Sequence, residues 1–210
     1  MNKFFLTFLL FLAACAPNAA PVTTPQVVSV YATAAAQPWL AKVYTCAEKQ
    51  SVTIRLSETE SAADIRLRIG EPQNLATPAY QIDSEDLLIV TQLESTLQNL
   101  TADEVRALFS HPEGQSLQVW VFASGEDVEE VFAREIMRGM PITSLARLAV
   151  SPQQMSNILN QDKNAVGILP RHWKTGTVRE IFTLAGVPVL AVTPSEPQGA
   201  AKEILACLQK

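Results

Sequence analysis

The chain has 210 residues, 48% of them hydrophobic, and a formal net charge of −5. An acidic chain with no cluster of Lys and Arg is a poor partner for nucleic acid. His111 and His172 stand alone and the three cysteines lack metal-ligand spacing, which argues against a resident metal or other cofactor.

Lys3 followed by the apolar stretch Phe4 to Leu12 reads as a secretory signal, residues 1–14, too short to span a bilayer. Leu12-Ala13-Ala14-Cys15 resembles the lipobox of bacterial lipoproteins. That resemblance implies cleavage before Cys15, lipidation of its thiol and a stable hold on the bilayer. The expected location is therefore outside the cytoplasm, on the bacterial membrane. Residues 16–26, APNAAPVTTPQ, lack charge and large side chains and read as a flexible tether behind the lipidated cysteine, together 15–26. No other stretch is long and apolar enough to cross a membrane. About 185 residues remain, enough for one core or two small lobes.

VVSVY (27–31) reads as a buried strand, followed by a helix from about Gln37 with Leu40, Val43, Tyr44 and Ala47 on one face. SVTIRLS (51–57) and DIRLRIG (64–70) alternate as strands, separated only by SETESAA (57–63). In the second of them Ile65, Leu67 and Ile69 face one way and Arg66 and Arg68 the other. LLIV (87–90) reads as a strand covered on both faces.

Thr101-Ala102-Asp103-Glu104 is a capping box, with Val105, Leu108 and Phe109 as the apolar stripe of its helix. LQVWVFA (117–123) reads as a strand, and Ser124 as the cap of a helix bearing Val128, Val131, Phe132 and Ile136. Ser151-Pro152 starts another helix, with Met155, Ile158 and Leu159 inward, and AVGIL (165–169) is a short strand. VREIFTL (178–184) and VPVLAVT (187–193) read as two strands broken at Ala185-Gly186. A last helix follows, facing inward through Ala201, Ile204, Leu205 and Leu208. Alternating strands and helices predict an α/β fold with largely parallel sheets. Cys46 and Cys207, each on a helix flank, form a disulfide or stay as two buried free thiols; an oxidising compartment favours the bond.

The order of segments resembles the type II periplasmic-binding-protein fold, in particular the phosphate-type substrate-binding lipoproteins of ABC importers. LIVTQLESTLQNLTADEVRALFS, LQVWVFASGEDVEEVF and NAVGILP carry the resemblance. It implies two lobes around a cleft, 27–93 with 174–210 and 94–173, a discontinuous first lobe that a Cys46–Cys207 bond would tie, and a hinge between them. It also implies a small-molecule solute and an ABC permease as partners. By position it points to Thr33 after the first strand, Glu71 after the third, Ser95 and Thr96 near the hinge, and Ser124 and Gly125 at the turn as ligand-facing residues.

Three departures stand out. SETESAA is shorter than the helical segment usual there, no arginine lies on the strand before Ser124-Gly125, and Glu126 replaces the usual Thr. A helix start attracts anions, yet Glu126 and Asp127 occupy this one. One like-charge contact at 4 Å costs about 4 kcal/mol at an effective dielectric near 20, so a phosphate is disfavoured there and a neutral, zwitterionic or cationic ligand less so. The local explanation is capping: Ser124 as cap, Asp127 reaching back to it, and Glu126 favoured by the helix dipole. Trp120 and Trp173 read as core rather than cleft. No nucleophile elbow, phosphate loop or dinucleotide loop is present, so the chain reads as a non-enzyme. Two functions follow: capture of a solute for an importer, or a binding-protein fold retained as an envelope interaction, sensor or assembly factor.

Overall fold

The computed structural model describes residues 26–112 and 117–210. The signal, Cys15 and the tether up to residue 25 lie outside the described residues. Eight strands form one mixed sheet in the order β2-β1-β3-β8-β4-β7-β5-β6. On one side, β1 (Val27–Ala32) lies parallel between β2 (Thr53–Leu56) and β3 (Ile65–Ile69). On the other, β5 (Gln118–Phe122) lies parallel between β7 (Ala165–Pro170) and β6 (Arg147–Ala149). Two long strands cross the middle, β4 (Ala79–Gln92) and β8 (Val178–Val192), paired antiparallel with each other.

The centre of the sheet corrects two sequence expectations. The pairings β3–β8, β8–β4 and β4–β7 are antiparallel, so parallel strands are confined to the two flanks. The apparent strands 178–184 and 187–193 are one, with Gly186 at φ +72° inside it. Likewise LLIV is only the buried half of β4. The other half carries the polar Asp83 and Ser84 and has no apolar run to mark it, and Asp83 there accepts the indole N–H of Trp39 at 3.0 Å. Register shifts at Gln81/Asp83, Glu85/Leu87 and Ile89/Val90 let so long a ribbon twist. The short β6 carries no periodic signal and was not anticipated.

Elsewhere local chemistry sets the elements. In β3 the alternation is complete: Ile65, Leu67 and Ile69 are fully buried and the two arginines face away from the core. α2 (Ala102–Ser110) has both bonds of its capping box: Glu104 accepts from the Thr101 N–H, and Thr101 accepts from the Glu104 N–H. Ser151 caps α4 (Pro152–Gln161), which packs on β7. The helix after β5 starts later than expected. Ser124 and Gly125 form an exposed turn, Glu126 is the first-turn boundary without a side-chain cap, and α3 (Asp127–Val131) runs on as a π-helical stretch, Phe132–Met137.

α1 (Leu40–Lys49) and α5 (Gly199–Leu208) pack together, joined by the Cys46–Cys207 disulfide with Cα atoms 5.8 Å apart. The bond closes a loop of 161 residues, for which chain entropy predicts a stabilisation of about 5 kcal/mol at most. Replacing both cysteines by Ala should lower the unfolding free energy in urea by about 2–5 kcal/mol. An unchanged midpoint would mean that packing alone holds the two helices.

Candidate functional site

Three chain segments converge where the β1–β3 flank meets the start of α3. β1 ends in the loop at Thr33, β3 ends at Ile69, and β5 leads through the Ser124-Gly125 turn into Asp127. Gly125, at φ +92°, makes that tight turn possible. Asp127 is only 3% exposed. Its Oδ2 accepts the Thr33 hydroxyl at 2.6 Å and the Ile69 backbone N–H at 2.8 Å, while Oδ1 accepts the Val128 N–H at 2.9 Å. The carboxylate is therefore not a helix cap turned back on Ser124, as local sequence suggests. It is a tertiary acceptor spanning 94 and 58 residues of chain. Thr33 keeps its own local role as well, its oxygen accepting the Ala36 N–H at 3.2 Å.

The same seam holds further contacts. Arg68 pairs with Glu130 at 2.5 Å, with both side chains largely covered, and also donates to the Gly70 carbonyl. Arg134 donates to the Glu71 carbonyl at 2.8 Å, and the Trp173 indole to the Ala35 carbonyl at 2.9 Å. Gly70 lies so close to Val131 that any Cβ there would collide with the valine side chain.

Beside Asp127 lies a polar cavity of about 110 Å³, walled by Tyr31, Thr33, Glu60, Arg66, Arg68 and Glu126. Strand alternation puts Tyr31 and Thr33 of the first strand and loop beside Arg66 and Arg68 of the third. Glu60, in the short turn between β2 and β3, supplies the outer wall and pairs with Arg66 at 3.3 Å. On the other side of Asp127 a crevice of only about 10 Å³ between Ala34, Ala35, Phe122, Val128 and Pro152 has room for about one water.

The charges are crowded. Burial pushes the Asp127 carboxyl above its ordinary value, against the opposing pull of the Ile69 and Thr33 hydrogen bonds and the Arg68 charge. Partial burial and the neighbouring Asp127 push Glu126 up as well. Tyr31, which shares the cavity wall with Glu60, Glu126 and Asp127, is raised by burial and by those three charges.

Of the residues singled out by position, the cavity brings together Thr33 and Gly125. Ser124 is exposed on the turn, and Glu71 is exposed with only its carbonyl engaged. Ser95 is buried away from the cavity. Its hydroxyl oxygen accepts the Leu97 N–H and its carbonyl accepts from Arg179, while Thr96 is exposed. Sequence reasoning missed Tyr31, Glu60, Arg66 and Arg68. The signal was present in Arg66 and Arg68, two like charges on one face of a strand whose other face is core. The absent arginine of the β5 strand has no replacement there; the positive charge comes from β3.

No protein-family model and no curated protein sequence matches the chain. Solved structures do. One from Clostridium perfringens, assigned as a phosphate ABC transporter substrate-binding protein and holding bound phosphate, superposes with TM-score 0.77 at 12% identity, over 87% of this chain and 93% of that one. An ABC-type phosphate transport receptor from Vibrio cholerae gives 0.64 at 14% identity over 87% and 93%. The CcmR regulatory domain of Synechocystis in complex with 2-PG gives 0.67 at 11% identity over 88% and 96%. The chain thus has the type II periplasmic-binding-protein fold, which transport receptors and regulatory domains share.

Removing the carboxylate strands three donors, each costing about 1–3 kcal/mol when buried and unpaired. Asp127→Ala should therefore lose about 2–4 kcal/mol of stability, and Glu126→Ala less than about 0.5 kcal/mol. Since Asp127's folded value exceeds its unfolded one, its protonation favours folding below the unfolded value, and that contribution is lost as pH rises through the folded value. Relative to Asp127→Asn, the parent should lose stability as pH rises across the carboxylate range; equal pH profiles in denaturant melts would contradict this.

Proposed function

We propose that the chain is an extracytoplasmic solute-binding protein, held on the membrane by a lipid on Cys15, that captures a small solute for an ABC permease. Its lobes would be 27–93 with 174–210, and 94–173, hinged on the long central strands β4 and β8. The observation that carries this reading is the polar cavity between the β1–β3 flank and the start of α3, where hydroxyl, guanidinium and carboxylate groups from separate elements meet. Fold alone does not choose a function; the concave, hydrogen-bonding site is what supports this one. Hinge motion would open and close this cavity, with Gly125 and Glu126 on one side and Tyr31, Thr33 and Arg66 on the other.

The solute is not free phosphate. Asp127 already takes the Thr33 hydroxyl, the Ile69 N–H and the Val128 N–H at the start of α3, and Glu126 and Asp127 would repel a dianion. The same occupancy favours a second reading, in which the fold serves as an envelope interaction, sensor or assembly factor with its cleft sealed from within. The exposed apolar residues Leu145, Leu148 and Val150, at 73%, 58% and 85% exposure around the edge strand β6, suit such a role.

A thermal-shift screen of the full mature chain in detergent separates the two. Phosphate and sulfate should leave the melting temperature unchanged. A class of organic solute should raise it, with a gain of about 2.7 kcal/mol at a hundredfold excess over its dissociation constant. Silence from every solute would favour the interaction role.

A further inference from the structure

The exposed apolar side chains are not scattered. Of the eight large ones exposed among the described residues, four fall within 140–150: Met140 at 41%, Leu145 at 73%, Leu148 at 58% and Val150 at 85%. Leu148 and Val150 flank the buried Ala149 along the edge of the sheet, and Leu145 stands in the turn before β6. The same stretch is basic. Residues 136–161 carry Arg138 and Arg147 and no Asp or Glu, in a protein of net charge −5. Both arginines are exposed; Arg138 donates to the Glu135 carbonyl, and Arg147 lies over the Trp120 ring, 5.7 Å from its centroid. The carboxylate of Glu135 is taken by Arg134. Glu126, which shares the narrow crevice at Val150, marks where the patch ends.

A sheet edge commonly recruits a further strand, but here the chain blunts its own edge. Gln154 accepts the Val150 N–H at 2.7 Å, Gln118 donates to the Leu145 carbonyl at 3.0 Å, and the Ala146 N–H donates to the Thr143 carbonyl at 3.1 Å. A second copy set edge to edge would bring Arg147 toward Arg147 with no acid between them. A fluid anionic interface needs no free strand edge and no matching pocket: it surrounds protruding apolar side chains and neutralises the arginines. Resting on the reading that a lipid on Cys15 holds the chain on the bilayer, we infer that 140–150 is a second, peripheral membrane contact. Leu145, Leu148 and Val150 enter the headgroup layer of an anionic bilayer, and Arg138 and Arg147 meet its phosphates. The tether supports this. Residues 16–25 reach at most about 35 Å, so the patch meets the surface at high effective concentration and a weak contact suffices. The contact would fix which side of the 94–173 half lies on the membrane, whatever solute is bound.

The mature lipidated chain tests this in vesicles of equimolar phosphatidylcholine and phosphatidylglycerol. With Cys15 lipidated and Cys46 bonded to Cys207, Leu148→Cys offers a single thiol for an environment-sensitive fluorophore, and Tyr44→Cys on α1 serves as the comparison. Brominated lipid should quench the label at 148 roughly threefold or more above the label at 44. Arg138→Glu with Arg147→Glu, or vesicles of phosphatidylcholine alone, should remove most of that difference. Equal quenching at the two positions, with the chain retained on the vesicles, overturns the inference. Quenching untouched by both the charge reversal and the neutral lipid overturns the anionic assignment. A label at 148 that becomes shielded in detergent as protein concentration rises gives the patch to a second copy and overturns it as well. A chain that washes off the vesicles removes the lipid on Cys15, and the inference falls with that reading.

Discussion

A single buried carboxylate organises the seam of this molecule. The Asp127 carboxyl is almost wholly shielded from water and held by donors from a loop after β1, the end of β3 and its own helix. An isolated buried charge is strongly unfavourable, and hydrogen bonds from fixed N–H and O–H groups are what offset it. Such a group is directional in a way that apolar packing is not: it specifies which three segments meet and at what separation. The Arg68–Glu130 pair and the Gly70–Val131 contact lie along the same line and reinforce one arrangement. The polar cavity takes its shape from this seam, because Thr33, Arg68 and Glu126 are positioned by the same three segments.

That arrangement also divides the chemistry of the site. One N–H of the helix start, that of Val128, and the Thr33 hydroxyl, groups suited to an incoming anion, are committed to a side chain of the protein itself. What stays open is a mixed-charge space beside it, with Arg66 and Tyr31 on the strand face and Glu126 on the turn. The fold is shared with phosphate receptors and with regulatory domains, and on the proposed reading the residues at the turn before one helix would set a different specificity. Glu126 and Asp127 at that turn would act against an anion.

Much of the architecture was legible because it is written in local periodicity. The alternation of β3, the capping box of α2 and the Ser-Pro start of α4 each require only neighbours in sequence. The central ribbon was harder. Asp83 and Ser84 in β4 and Ala185-Gly186 in β8 look like breaks, and only pairing of the two strands shows that they are bulged, half-exposed stretches of continuous strand. β6, three residues long with two exposed, has no pattern to read. In the site, Thr33 and Gly125 could be placed by resemblance, but the role of Asp127 could not. Its composition and position fit a helix cap, and its actual partners lie 94 and 58 residues away. A tertiary hydrogen bond of that reach leaves no local trace. Ser95 shows the converse, a hydroxyl near the long strands that serves its own turn and an arginine-bound loop.

The central claim is that the Asp127 carboxylate holds the two flanks of the sheet together across the seam. Pulsed electron–electron distance measurement between spin labels on exposed Glu48 of α1 and Gln153 of α4 tests it most directly. The account predicts one narrow distance in the parent and a longer, broader distribution in Asp127→Ala at the same temperature. Identical narrow distributions in both proteins would contradict it, since the seam would then be held without the carboxylate.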